Sequence, residues 1–118
     1  VKGFVDLVFE HEGLVYWADW KSDTLAGYQS SALAEHVDTH YRIQAELYTI
    51  GMARVLGLRD PETYASRFGG YLYIFLRGMT PGSDATDGIY FHRPSWSELC
   101  GFEDGLKQAF PQFPGARS

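Results

Sequence analysis

Two short apolar segments joined by a glycine-containing turn constrain the fold of this chain most strongly. Residues 4–9 read FVDLVF and residues 14–20 read LVYWADW, so both segments are rich in β-branched and aromatic side chains. Such side chains pack well on a pleated sheet, and the intervening HEG offers a turn, so the sequence predicts a β-hairpin. The hairpin nevertheless carries Asp6, Asp19 and Lys21, where a strand would be expected to carry apolar residues.

The register of the predicted hairpin decides where these charges lie. With the turn centred on residues 12–13, Asp6 faces Asp19 across the two strands, and Lys21 projects from the same face because strand side chains alternate. Directly opposed residues have Cβ atoms only about 5 Å apart, so two like charges there destabilise the pair. We expect either that one carboxyl group holds a proton or that a cation lies between the two. A turn of odd length would shift the register and separate the carboxylates.

A divalent cation bound between the two carboxylates would resolve their repulsion. Mg²⁺ characteristically binds through one or two carboxylates plus waters and phosphate oxygens. Lys21 would then orient a water molecule or stabilise charge that develops on phosphorus. A single aspartate at a strand end is more simply a solvated edge residue. The pair together with the lysine on one face favours a functional site.

The middle of the chain predicts a loop followed by a helix. Residues 21–31 are polar and contain glycine and serine, which favours a loop. Apolar side chains then recur at steps of three and four, which predicts a helix from about Leu33 or Thr39 to Leu56, closed by Gly57. A connection containing Pro61 and two glycines follows, with one short helical turn.

The second half of the chain contains the strongest buried-strand signal. Residues 71–76, YLYIFL, are continuously apolar and stop at Arg77-Gly78, and IYFHR over residues 89–93 predicts a strand antiparallel to them. Ser95 then begins a last helix that runs to about Phe110.

Ser95 is the predicted N-cap residue of that helix, and Glu98, three residues later, completes a capping box. The elements occur in the order ββαββα, an α/β or α+β pattern with a mixed sheet. We assign residues 1–110 to one domain and residues 111–118 to a flexible tail.

Composition restricts the function further. The 118 residues are 45% hydrophobic, which is enough for one core and too little chain for two. The net charge of −5 has the wrong sign for a protein that binds nucleic acid by overall electrostatics, so any DNA contact is local or metal-assisted. A single cysteine, Cys100, excludes an internal disulfide and fits a reducing, cytoplasmic compartment. No apolar run approaches the roughly 20 residues that span a bilayer.

Several segments together resemble a known family. A strand with Asp6, a turn and then Asp19-Trp20-Lys21 resembles the signature of PD-(D/E)xK nucleases. QAELY, from Gln44 to Tyr48, matches the Gln-x-x-x-Tyr motif of their RecB-like branch. GFVDLVFEHEG…DWKSD, QAELYTIGMARVL and FGGYLYIFLRG…GIYFHRP occur in the same order as in the C-terminal nuclease domain of exodeoxyribonuclease V β subunits. From Gly3 to about Pro94, the chain is therefore similar to a RecB-type nuclease core.

This resemblance implies a restriction-endonuclease-like fold, in which a mixed β-sheet is flanked by helices, and it assigns roles to individual residues. Four hairpin residues would form the catalytic centre: Asp6, Asp19 and the main-chain carbonyl of Trp20 as ligands of one or two Mg²⁺ ions, and Lys21 as the catalytic lysine. Gln44 and Tyr48 lie one helical turn apart and would support the active site or contact the nucleic-acid backbone. Asp23 stands where the family often has Asn, which adds negative charge near the site.

The resemblance also implies an activity and partners. Family members hydrolyse phosphodiester bonds of single- and double-stranded DNA within a helicase–nuclease complex with RecC and RecD that processes double-strand breaks. The family domain is also thought to dock RecA, so a non-catalytic docking module that binds RecA or a sister subunit stays open as an alternative. A further metal ligand, often His or Glu, comes from a helix upstream of the first strand. The chain begins at Val1, so we expect a core truncated at its N-terminus that binds Mg²⁺ weakly in isolation.

The spacing of two histidines offers a competing metal site. His36 and His40 stand four apart, which on a helix is a spacing that can chelate a metal ion. No third ligand is apparent nearby, so we interpret EHVDTH as the polar start of a helix.

Overall fold

A computed structural model describes residues 6–79 and 87–109 of the chain. In this part the elements are the strands β1 (Leu7–His11), β2 (Leu14–Lys21), β3 (Phe68–Phe75) and β4 (Ile89–His92), and the helices α1 (Ser30–His40), α2 (Arg42–Leu56), α3 (Pro61–Arg67) and α4 (Trp96–Ala109). A single 3₁₀ turn, Leu76–Gly78, follows β3. Within these ranges, every helix is too short or too polar to cross a membrane. The predicted tail, residues 111–118, lies outside the described residues.

The four strands form one mixed sheet in the order β1-β2-β3-β4. β1 is antiparallel to β2, β2 is parallel to β3, and β3 is antiparallel to β4. A parallel pair needs a long crossover connection, and the three helices α1, α2 and α3 supply it between β2 and β3. The mixed α/β fold predicted from the sequence is confirmed, and it is compatible with a restriction-endonuclease-like core.

The β1–β2 hairpin has the predicted register. Val8 pairs with Trp17, and the ladder runs to Leu7 opposite Ala18. Glu12 and Gly13 form the turn with positive φ angles of 51° and 84°. Two-residue turns of this kind match the right-handed twist of the strands, which explains the even loop length. One residue beyond the ladder, this register brings Asp6 opposite Asp19.

The single helix predicted up to Leu56 is in fact two helices. α1 begins at Ser30, earlier than predicted, and Tyr41 interrupts the helical path with φ −124° and ψ 4°. The prediction missed this break because Tyr41 is neither glycine nor proline. The helix does end at Gly57, whose φ of 73° is left-handed, as predicted.

The region between α2 and β3 also departs from the prediction. It contains a complete helix, α3, whose N-cap Asp60 forms a capping box with Thr63, so the observed order is ββαααββα. β3 starts at Phe68 rather than Tyr71, and Gly69 lies inside it. A Cβ atom at Gly69 would overlap the ring of Tyr16 on the neighbouring strand, so this glycine permits close packing instead of ending the strand.

The beginning of α4 confirms the predicted capping box. The backbone N–H of Glu98 donates to Ser95 Oγ at 3.1 Å, and the backbone N–H of Ser95 donates to Glu98 Oε1 at 2.8 Å. These two hydrogen bonds satisfy donors that the first turn of a helix cannot pair internally.

Trp17 lies at the centre of the core. Its side chain is fully buried, its ring stacks on Tyr71 with 4.6 Å between centroids, and Tyr48 and Tyr73 contact it edge-on. The indole N–H donates to Thr49 Oγ1 of α2 at 3.3 Å. A buried indole needs such a partner, so this hydrogen bond fixes how α2 packs on the sheet.

The opposite face of the sheet carries large apolar side chains that remain exposed: Leu7, Phe9, Trp20 and Phe91. They alternate along the strands with the residues that contact the helices. The sheet therefore packs on helices through one face while its other face stays largely open in the described part of the chain.

Replacing Thr49 by valine should destabilise the chain by about 1–3 kcal/mol, because the Trp17 N–H would remain buried without an acceptor. Urea unfolding followed by tryptophan fluorescence measures this difference. Thr39→Val is the matched control, since the Thr39 hydroxyl bonds an exposed carbonyl of its own helix, and it should change stability by less than about 0.5 kcal/mol. Equal losses in the two variants would contradict the role of the buried hydrogen bond.

Candidate active site

Three charged side chains meet where β1 begins and β2 ends. Asp19 is only 6% exposed, and its Oδ2 lies 3.0 Å from Nζ of Lys21. Asp6 is exposed, and its Oδ2 accepts a hydrogen bond of 2.9 Å from the backbone N–H of Trp20. The hairpin therefore brings Asp6, Asp19 and Lys21 together on one face, as its register requires.

The pKa values of the two carboxyl groups shift in opposite directions. Burial raises the pKa of Asp19, and the hydrogen bond with Asp6 raises it further. The same hydrogen bond lowers the pKa of Asp6, and the Trp20 N–H lowers it again. As the pH falls, Asp19 is therefore the member of the pair that takes up a proton first, and Asp6 is the one that keeps its negative charge longer. Opposed like charges favour such an unequal pair of pKa values.

Gln44 and Tyr48 project from α2 towards the same site. Gln44 Oε1 accepts a hydrogen bond of 2.7 Å from the hydroxyl of Tyr73, and Gln44 also bonds the Tyr48 side chain. Burial raises the pKa of Tyr73 and of Tyr48, and the nearby Asp19 raises both further. Both hydroxyls therefore stay protonated at neutral pH; that of Tyr73 donates to Gln44, and that of Tyr48 can donate to another group.

The structure adds residues that the sequence did not identify. Nζ of Lys21 lies 4.2 Å from the centroid of the Tyr41 ring and 5.5 Å from that of Tyr73. Tyr73 lies beside Asp19 in the parallel β2–β3 register, whereas the sequence indicated only a buried strand residue. Knowledge of the β2–β3 register would have identified Tyr73 as a neighbour of Asp19. No sequence pattern indicated that Tyr41 lies at the site.

Asp23 connects this cluster to α1. Its Oδ2 accepts hydrogen bonds from the Tyr41 hydroxyl at 2.5 Å and from Nε2 of His36 at 2.8 Å. The rings of His36 and His40 lie 4.5 Å apart. Across residues 6–79 and 87–109, no three His, Cys, Asp or Glu side chains are arranged to hold a metal ion.

Comparison with known proteins gives the family. No protein-family model matches the chain. Over 101 residues, 80% of the chain, it is 42% identical to the RecBCD enzyme subunit RecB of Haemophilus influenzae and 41% identical to that of Escherichia coli K12. The Borreliella burgdorferi RecB subunit is 28% identical over 109 residues, 84% of the chain.

The chain belongs to the RecB family. It spans only about 8% of the length of the RecB relatives from H. influenzae and E. coli. This assignment confirms the RecB-type resemblance predicted from the hairpin, the Gln44–Tyr48 motif and the later strands.

In this RecB-family segment, Asp19→Asn should stabilise the fold at neutral pH. The raised pKa means that the folded chain disfavours the ionised carboxylate, and an amide can still donate to Asp6. The wild type loses stability as pH rises from the ordinary carboxyl pKa through the raised pKa of Asp19. The variant lacks this loss, so its advantage should shrink as pH falls through the same window.

Urea unfolding of both chains at a series of pH values measures this advantage. Asp104→Asn is the control, because Asp104 is an exposed residue of α4 far along the chain. An Asp19→Asn chain that is less stable than the wild type at neutral pH would contradict the raised pKa of Asp19.

Proposed function

We propose that this chain is the core of a RecB-type nuclease that hydrolyses DNA phosphodiester bonds with Mg²⁺. The observation that carries the proposal is the convergence of Asp6, Asp19 and Lys21 on one face of the hairpin. Because the matched relatives are named as RecB subunits of the RecBCD enzyme, we further propose DNA as the substrate and RecC and RecD as partners.

The donor set fits Mg²⁺. Two carboxyl groups lie within hydrogen-bonding distance of each other, and both offer the hard oxygen ligands that this ion prefers. The N–H and C=O groups of one strand residue point to the same side, so the carbonyl of Trp20 faces the side where its N–H meets Asp6. Mg²⁺ keeps several waters and phosphate oxygens as ligands, so two carboxylates and a carbonyl suffice on the protein side.

Different residues of the chain would bind the metal ion and orient the attacking water. Asp6, Asp19 and the Trp20 carbonyl would hold the ion, which when bound lowers the pKa of water and neutralises charge on the phosphate. Both carboxyl groups must be ionised to act as ligands, so ion binding would displace a proton from Asp19 wherever its raised pKa keeps one there. Lys21 presents its ammonium group beside Asp19, where it can orient the attacking water and stabilise charge on a phosphate oxygen.

The Gln44–Tyr48–Tyr73 network supports this site. Gln44 is held by Tyr73, whose strand pairs with the strand of Asp19. The hydroxyl of Tyr48 belongs to a ring that packs on Trp17, so its position is fixed by the core. The Tyr48 hydroxyl is thus a rigidly held donor that can bind the DNA backbone without a large overall positive charge, which this chain of net charge −5 lacks.

Asp19→Ala and Lys21→Ala should each lower the rate of Mg²⁺-dependent DNA cleavage by about 10²–10³-fold in the full-length RecB-type protein, because each removes a group aimed at the reacting phosphate. Single-turnover cleavage of linear DNA with and without Mg²⁺ measures the rate. Circular dichroism establishes that the variants are folded.

Asp104→Ala is the matched control for cleavage, since this exposed carboxylate pairs only loosely with Lys107 at 4.0 Å. It should cleave DNA at the wild-type rate. Wild-type rates in both Asp19→Ala and Lys21→Ala would remove the nuclease assignment.

Docking of RecA or a sister subunit is a second candidate function. It is favoured by the exposed apolar side chains on the sheet face opposite the site, among them Trp20 and Phe91, since a patch of this kind often marks an interaction surface. Trp20→Ser and Phe91→Ser should weaken binding of RecA, RecC or RecD in pull-down experiments, whereas Asp19→Ala should not. Binding that is unchanged in both serine variants would exclude this face as the docking surface.

A further inference from the structure

We propose that Tyr41 is a positioning residue that presents its ring as a platform for the Lys21 ammonium group, an inference that rests on the proposed nuclease function. Nζ of Lys21 lies 4.2 Å from the Tyr41 ring centroid, within the roughly 6 Å at which a ring face attracts a cation. The Tyr41 and Tyr73 rings stack with 5.3 Å between centroids, so they form one aromatic wall beside the ammonium group.

Lys21 needs such a wall because its only described ion pair is with Asp19. A lysine side chain has four rotatable bonds, and holding it in one position costs up to about 2 kcal/mol of rotamer entropy. If the oxygens of Asp19 serve as cation ligands, their attraction for Lys21 weakens. The Tyr41 ring does not compete for the same oxygens, so it can keep the ammonium group at the site throughout.

Several contacts fix the Tyr41 ring in place. Its hydroxyl donates to Asp23 Oδ2 at 2.5 Å, and His36 Nε2 contacts the same oxygen at 2.8 Å. The loop that carries Asp23 is itself tied down, because the Tyr28 hydroxyl donates to the Asp23 carbonyl and accepts from the Leu25 N–H, both at 3.0 Å. The ring is therefore held from its hydroxyl end while its face is left to Lys21.

Tyr41 lies at the break between α1 and α2, and from there its ring faces Lys21. The backbone leaves the helical path at Tyr41, yet its carbonyl still accepts from Ala45 N–H and its N–H still donates to Val37 O. Residues 38–44 contain neither glycine nor proline, so neither residue type explains the break. The side-chain bond to Asp23 and the contact with Lys21 supply a reason for it.

The experiment replaces Tyr41 by phenylalanine and then by phenylalanines that carry increasing numbers of ring fluorine atoms, in the full-length RecB-type protein. Fluorine withdraws electron density from the ring face and weakens its attraction for a cation, while ring shape is kept. We expect kcat for DNA cleavage to fall stepwise with fluorine number, by about 2–30-fold across the series. The KM for DNA should stay unchanged, because the ring acts through Lys21.

The same series at Tyr16 is the matched control. Tyr16 lies on β2, the strand of Lys21, but on the other sheet face, where it stacks on Phe9. Its fluorination should leave kcat within about twofold of the wild type. Thermal melts verify that each variant is folded, and the phenylalanine variant supplies the reference for the series.

The outcomes separate this inference from the function on which it rests. A wild-type protein that cleaves DNA, with a kcat that does not depend on fluorine number at Tyr41, overturns the platform and leaves the nuclease function standing. A change confined to KM, or equal losses at Tyr16, overturns it as well. A wild-type protein that does not cleave DNA with Mg²⁺ refutes the nuclease function and this inference together.

Discussion

The antiparallel pairing of β1 with β2 determines both the core and the candidate site. Because side chains alternate along a strand, the register that puts Val8 opposite Trp17 also brings Asp6 opposite Asp19. A slip by one residue would turn Trp17 out of the core and move Asp19 to the open face. The burial of Trp17 therefore fixes the same register that brings Asp6 opposite Asp19. The two-residue turn at Glu12 and Gly13, with positive φ angles, has the loop length that this register requires.

The charges at this site come at an electrostatic cost that the neighbouring residues offset. Asp19 is buried beside a second carboxyl group, which is unfavourable unless a proton or a cation intervenes. Lys21 compensates in part, and the Tyr41 and Tyr73 rings surround its ammonium group with electron-rich surface. An arrangement that costs stability and is held rigidly from several sides is typical of a functional site.

Features set by local chemistry could be predicted from the sequence, and features set by distant contacts could not. The hairpin, the end of α2 at Gly57 and the Ser95–Glu98 capping box each depend on residues within a few positions of one another. At the break, Tyr41 hydrogen-bonds Asp23, which lies in another segment, so no local pattern indicates this arrangement.

The parallel pairing of β2 with β3 was equally invisible to local patterns. This pairing brings Tyr73 next to Asp19, and the three helices of the crossover separate the two strands in sequence. The two glycines Gly69 and Gly70 suggest a connection when only the sequence is considered. Gly69 is nevertheless part of the strand, because the ring of Tyr16 on the neighbouring strand leaves no room for a Cβ atom there. Within the site, the sequence located the charged residues of one hairpin but not the aromatic residues that other elements bring to it.

Among the strands that the structure describes, β1 lies at the edge of the sheet; its five residues are all exposed, and Asp6 directly precedes it. Edge strands open more readily than central ones, since they have one neighbour and little buried surface. A ligand that joins Asp6 to Asp19 would therefore also fasten this strand to the sheet, and by thermodynamic linkage local fraying would weaken the ligand's affinity. Hydrogen exchange of the β1 amides would then serve as a direct gauge of whether the site is filled.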